Sequence, residues 1–167
     1  MLSWLSSLLR PDNGVLDAIF IAASAGEPMH AVESVTAIVD RGLEGDRYAT
    51  QTGFWQATDS CAVTLITDDD LKHARRRTRL DLESGAHRRN LVISGIKAQK
   101  LEGKTWRIGT ALFQYHKPRP PCGYLDRIAG RGMARALGRH SGICIRVIES
   151  GVLKVGDRVE IITPPPP

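Results

Sequence analysis

The segment Lys117-Pro118-Arg119-Pro120-Pro121-Cys122-Gly123-Tyr124-Leu125 sets a single cysteine where stiff, extended backbone gives way to a helical pattern. Each proline fixes its own φ and disfavours helix in the residue before it. After Cys122, Leu125, Ile128, Ala129, Met133, Ala136 and Leu137 recur at helical spacing. Cys122 is therefore expected at or near a helix N-terminus, with Lys117, Arg119 and Arg127 close in sequence. Unpaired N–H groups and cationic neighbours favour thiolate over thiol. A thiolate binds a soft metal or carries sulfur. The competing reading is an inert cysteine that packs as a small hydrophobe.

Two further segments carry chemistry-bearing side chains. Gly42-Leu43-Glu44-Gly45-Asp46-Arg47-Tyr48 reads as a tight bend after a strand, bearing an acid and a cation. Asp46 and Arg47 form a site or a turn-stabilising pair. His87-Arg88-Arg89-Asn90 leads into a strand, and guanidinium forks with an amide suit phosphate or a heterocycle. Neighbours on a strand point to opposite faces, so one of Arg88 and Arg89 is expected at a site, and Arg89 is the choice. The Gly151 to Ile161 stretch reads as structural, a turn feeding the last strand. No GxGxxG or Walker A pattern occurs, and the five histidines form no cysteine-protease signature.

The elements that must position these residues are mainly short strands. They are expected at Val15–Ala22, Glu33–Val39, Cys61–Ile66, Asn90–Ser94, Thr105–Ile108, Ala111–Tyr115, Ile143–Glu149 and Arg158–Ile162. Glycine turns at Gly95, Gly103 and Gly109 separate three of them. Many short strands with glycine punctuation point to a mostly β barrel or sandwich. One helix begins behind Thr67, which can cap it, with Asp68, Asp69 and Asp70 at the positive helix end. Lys72, His73, Arg75, Arg76 and Arg77 suit its negative end, so helix stabilisation accounts for the arginine run. The second helix follows Cys122 and is expected to break near Gly130 and Gly132. Residues 1–14 read as a short amphipathic helix and turn, 15–163 as one domain, and 164–167 as a proline tail. The N-terminal apolar stretch makes a poor signal peptide and is far too short to span a bilayer.

Composition bounds the partners. The chain has 167 residues and net charge +5, which fits an acidic or phosphate-bearing ligand. Scattered basic residues and only 5% aromatics argue against nucleic acid. Three cysteines without CxxC spacing argue against a disulfide scaffold and a structural zinc site. Cys61 and Cys144 sit in apolar runs and read as small buried hydrophobes. A reducing cytoplasm is the simplest compartment.

Taken in order, Gly42 to Arg47, Val63-Thr64-Leu65-Ile66, Arg89-Asn90-Leu91 with Gly95-Ile96, Leu101 to Gly109, Arg119-Pro120-Pro121-Cys122 and the Gly151 to Ile161 ending resemble the MOSC domain. That family is named for the C-terminal domain of molybdenum cofactor sulfurase, and the likeness runs from about Ala18 to Ile162, toward its small stand-alone bacterial form. The resemblance implies a MOSC-type β-barrel with a few short helices. It implies that Cys122 is the family's characteristic cysteine, either a thiolate ligand to the molybdenum of a pterin cofactor or a persulfide-bearing sulfur carrier. On the first reading the protein is a molybdenum-dependent reductase of small N-hydroxylated compounds. Arg47, Arg89 and Arg119 then meet the phosphate of molybdopterin, and Asn90 bonds its ring or phosphate. Asp46 orients Arg47 or assists protonation. On the second reading a cysteine desulfurase is the partner. A non-catalytic cofactor-binding scaffold with an inert Cys122 is the third. The family often has histidine where this chain has Tyr48. Three cysteines are too few for Cys₄ ligation of an iron–sulfur cluster, so a reductase needs a separate electron-donor protein.

Overall fold

The first strand shows how one segment serves two cores. In β1 (Asn13–Ile21) the apolar-polar alternation buries Leu16, then shifts register at a bulge between Leu16 and Ala18. Beyond it both Ile19 and Phe20 are buried, on opposite faces. Ile19 joins Leu16, Leu65, Leu91, Trp106 and Phe113 in one apolar cluster, and Phe20 joins Ile66, Leu71, Leu125 and Met133 in another. The first cluster fills a barrel. The second lies between the barrel wall and its helices. The structure, a computed structural model, describes residues 13–52 and 61–162.

The remaining elements are β2 (His30–Val32), β3 (Ser34–Ile38), β4 (Gly42–Leu43), β5 (Val63–Thr67), α1 (Asp68–Arg75), β6 (Leu91–Ser94), α2 (Ala98–Leu101), β7 (Thr105–Ile108), β8 (Ala111–Pro118), α3 (Gly123–Ala129), α4 (Met133–Leu137), β9 (Ile143–Glu149), β10 (Gly151–Lys154) and β11 (Arg158–Ile161). The main sheet runs β11-β7-β8-β9-β5-β6-β1-β2, and pairing of β11 with β1 closes seven of these strands into a barrel. β5 and β6 pair in parallel, Leu65 facing Leu91, and α1 lies in the connection between them. All five residues of β5 are buried, because the barrel interior covers one face and α1 the other. A small sheet of β10, β3 and β4 completes the strands. The mostly β barrel with short helices is thus the expected architecture.

Local signals explain the helices. Thr67 caps α1, its hydroxyl accepting from the Asp70 N–H at 3.2 Å and donating to the Asp70 carboxylate at 2.8 Å. The helix after Cys122 breaks where expected: α3 ends at Gly130 (φ 116°), and α4 begins after Gly132 (φ 98°). Conformations of that kind suit glycine alone.

Some readings needed correction. Gly151–Lys154, read as a turn, forms β10 against β3, and the two-residue strand β4 falls inside the Gly42 bend. Cys61 and Cys144, read as separate buried hydrophobes, are joined in a disulfide with Cα atoms 5.4 Å apart. They are 83 residues apart in sequence. The pairing of β5 with β9 brings them together, which no local spacing encodes. The N-terminal helix and proline tail lie outside the described residues. Among the described residues no helix is long and apolar enough to cross a membrane.

Candidate functional site

The cleft of interest opens at one rim of the barrel. There β1 ends, β6 begins, β8 ends and β9 begins, as the pairings Ile19–Leu91 and Pro118–Ile143 require. Its lining brings Arg47, Tyr48, Arg88, Arg89, Arg119 and Cys122 together, with α3 forming an apolar wall through Leu125 and Ile128. Its cavity volume is about 30 Å³. No carboxylate is among the described lining residues.

The Gly-Asp-Arg bend supplies the first cation. Asp46 is fully buried. Its Oδ1 accepts from the Ala22 N–H at 3.1 Å and from Arg47 Nη1 at 3.0 Å, and its Oδ2 accepts from the Tyr48 N–H at 3.4 Å. Arg47 also donates to the Arg88 carbonyl at 3.2 Å. Its guanidinium lies over the Tyr48 ring, 4.6 Å from the centroid, a cation–π geometry. Buried charges persist only when paired and hydrogen-bonded, and here each contact also fixes the direction of Arg47.

The stretch before β6 supplies two more cations. Strand alternation predicts that Arg88 and Arg89 diverge, yet both line the cleft. The reason is backbone conformation: Arg88 sits outside the strand at φ 66°. Its N–H bonds the Gly85 carbonyl at 2.9 Å in a turn, and its side chain donates to the Glu27 carbonyl. Its Nη2 is buried and has no hydrogen-bond partner among the described residues. Burial, then the nearby Arg47, lower the Arg88 pKa. Arg89 is held by Ser141, its Nε donating to the carbonyl and its Nη2 to Oγ, both at 2.6 Å. Burial pushes Arg89 down to about 10; Tyr48 and Cys122 act against that shift and Arg47 adds to it. Guanidiniums stripped of water in this way gain from any anion that reaches them.

Asn90 does not join them. It is fully buried, its Oδ1 accepting from the Thr64 N–H and hydroxyl at 3.0 Å and its Nδ2 donating to the Phe20 carbonyl at 3.1 Å. These bonds tie β1, β5 and β6 together at the rim. The structure places Asn90 outside the cleft lining.

The proline-stiffened strap supplies the rest. Arg119 is anchored by its N–H to the Gly142 carbonyl at 2.9 Å, and its Nη2 donates to the Tyr48 hydroxyl at 3.2 Å. Cys122 occupies the N-cap position of α3 with extended backbone (φ −133°, ψ 165°), makes no side-chain cap bond and is partly exposed. It is the one free cysteine among the described residues. Sequence reasoning missed Arg88, Tyr48 as a wall residue, and Ser141. The adjacent Arg88-Arg89 pair was the available signal for the first. Nothing in the sequence marks Ser141.

A closed barrel with a cationic, cysteine-walled cleft at its rim defines the class of protein. The MOSC domain model matches residues 54–160, and the chain belongs to that family. The family is associated with molybdenum-cofactor binding or sulfur transfer. The matched stretch begins after the Gly42–Tyr48 bend. The fold is similar to that of the YUAD protein from Bacillus subtilis (TM-score 0.71, 15% identity, 89% of this chain and 95% of that one). It is also similar to YiiM from Geobacillus stearothermophilus (TM-score 0.65, 17% identity, 90% and 75%) and from Escherichia coli (TM-score 0.59, 21% identity, 90% and 70%). A search of curated protein sequences gives no significant match.

Proposed function

We propose that the protein binds a molybdenum–pterin cofactor in this cleft and reduces small N-hydroxylated compounds, with Cys122 as thiolate ligand to the metal. The observation that carries this reading is the convergence of four arginines and one partly exposed cysteine on a cleft whose described lining residues include no carboxylate.

The residues fit such a group. Among the described residues no cluster of three or more His, Cys, Asp or Glu could hold a metal, so a metal here must bring ligands of its own. A pterin dithiolene does so, and a single soft thiolate completes such a set. Arg47, Arg88, Arg89 and Arg119 would hold the phosphate, the planar forks matching its oxygens. The buried Arg88 Nη2 gains the acceptor it lacks. When bound, the cofactor supplies a two-electron redox centre for removing the substrate's hydroxyl oxygen. The chain's own part is positioning. Asp46 aims Arg47, Ser141 aims Arg89, and Tyr48 with Gly142 holds Arg119. Leu125 and Ile128 limit water on the α3 side. Electrons arrive from a separate protein.

A persulfide carrier needs an accessible cysteine but has no use for four converging guanidiniums, which favours the cofactor reading. The test is purification from a host that makes the cofactor, followed by molybdenum analysis and pterin fluorescence. We expect near-stoichiometric metal in the wild type and its loss in Cys122→Ser. Folded wild-type protein without metal and pterin sinks the proposal. A desulfurase-dependent sulfur adduct on Cys122, seen by mass spectrometry in metal-free protein, replaces it with sulfur carriage.

A further inference from the structure

A second group of arginines lies beyond the far end of α3. Arg77 and Arg79 follow α1, Arg131 sits in the turn between α3 and α4, and Arg135 is on α4. All four are exposed and line one open cleft with Thr78 and Gly132. The helix dipole accounts for basic residues in the last turn of α1, where Lys72, His73 and Arg75 stand. It does not account for Arg131, which lies in the turn between α3 and α4 and, like Arg135 in the last turn of α4, faces the same cleft from another part of the chain.

The two sides are locked together. The Leu80 side chain packs so closely on Gly130 that a Cβ there would come within 2.8 Å. The backbone segments that carry the four arginines are therefore held side by side. Arg75 behaves differently: it pairs with Asp68 at 3.9 Å and with Glu83. Among the described residues none of Arg77, Arg79, Arg131 and Arg135 has an ion pair and no acidic residue lines their cleft. Four like charges held together without a carboxylate form a positive surface that attracts acidic groups.

We propose that this arginine cleft docks an acidic peptide segment of a partner protein. The cations surround one cleft rather than forming a track, and among the described residues no aromatic side chain lines it for base stacking, which disfavours nucleic acid. Among the described residues no large apolar side chain lines it for insertion into a bilayer, which disfavours a membrane. The position matters as well. The seven-residue α3 separates this cleft from Cys122, a length of about 10 Å at 1.5 Å per residue. A partner seated here stands beside the mouth of the cysteine cleft. The docking rests on charge and geometry; only the partner's task, delivering electrons or sulfur, rests on the function proposed above.

The test uses the full chain and a fluorescein-labelled peptide of twenty glutamates, with affinity read by anisotropy across a salt series. The fourfold variant R77E/R79E/R131E/R135E should bind at least tenfold more weakly, and its neutral counterpart R77Q/R79Q/R131Q/R135Q nearly as weakly. The control K154E/R158E, on β10 and β11 away from the helices, should bind like the wild type. Circular dichroism of each variant reports folding, and the glutamine variant carries the result if charge reversal unfolds the helices. Equal affinity in the wild type and the glutamine variant overturns the proposal. So does tighter, arginine-dependent binding of a duplex DNA or of phosphatidylserine vesicles. Molybdenum content should be unchanged by these substitutions, so a metal-free wild type defeats the cofactor reading and leaves the docking result standing.

Discussion

Arg89 and Ser141 are joined twice, through Nε to the serine carbonyl and through Nη2 to its hydroxyl, each at 2.6 Å. The guanidinium is buried, so these contacts stand in for water. The same short segment also reaches Arg119 through the Gly142 carbonyl at 2.9 Å and Asp70 through His140 at 2.9 Å. One turn thereby sets two of the four cleft cations.

Ser141→Ala removes one acceptor and leaves an N–H of a buried cation without its partner. We expect a loss of about 1–3 kcal/mol in urea unfolding, the usual cost of such an orphan. Binding of inorganic phosphate should weaken as well, and Ser141→Thr should restore much of both. An alanine variant with wild-type stability would show that Arg89 does not need the hydroxyl.

His87 predicts a pH dependence. Its Nδ1 accepts the Arg89 N–H at 3.0 Å, and burial, followed by the nearby Arg89, lowers its pKa to about 3. The unfolded chain binds a proton near pH 6.5, where the folded protein does not. Stability is therefore full above pH 6.5 and falls as pH drops toward 3, by about 1.4 kcal/mol per pH unit at most. Urea midpoints between pH 4 and 8 should show this slope. It should flatten in His87→Gln, and an unchanged slope there would assign it to other groups.

Asp46→Asn tests whether the carboxylate is an anchor. Its oxygens face Ala22, Arg47 and Tyr48, and none is directed to solvent. Removing the charge leaves Arg47 buried without its counter-ion, a change worth about 3–5 kcal/mol. Thermal and urea unfolding should both register the loss. A variant as stable as the wild type but unable to turn over substrate would instead make Asp46 a proton donor.

The Cys61–Cys144 disulfide closes a span of 83 residues. Cross-links of this kind contribute about 2–4 kcal/mol, chiefly by restricting the unfolded chain. Reductant should lower the melting temperature of the wild type by about 5–15 °C, given typical values for a chain of this size. Cys144→Ala should melt at the lower temperature with or without reductant. Mass spectrometry after alkylation should find only Cys122 labelled in the oxidised protein.

Much of the barrel was legible because its strands carry local signals. Thr105–Ile108 and Ile143–Glu149 alternate or run apolar between glycine turns, and their observed bounds match. Strands β2 and β4 were not legible, since two or three residues cannot establish a period. At the site, Cys122 and Arg119 were marked by the prolines beside them, and Arg47 by its glycine bend. Arg88 was set aside by a rule that holds for strands, but at φ 66° it is not in one. Asn90 showed the reverse: an amide beside arginines looked like a ligand contact, and three partners from β1 and β5 use it instead. Disulfide partners and Ser141 meet their counterparts across the sheet, so only the fold could reveal them.

Tyr48 links two of the cleft cations. Arg47 lies over its ring, and its hydroxyl accepts from Arg119. Tyr48→Phe keeps the ring and removes the acceptor. The main chain at Arg119 stays tied to Gly142, so the fold should lose no more than about 1 kcal/mol, the net value of an ordinary hydrogen bond. Loosening the Arg119 side chain should cost a similar amount in binding inorganic pyrophosphate, which is roughly a fivefold rise in Kd by calorimetry. Tyr48→Ala removes the cation–π contact too and should weaken binding further. Tyr48→His restores a ring nitrogen able to accept from Arg119 and should recover part of the loss when neutral, above about pH 7. If phenylalanine binds pyrophosphate as well as tyrosine does, the hydroxyl has no part in holding Arg119 for the anion.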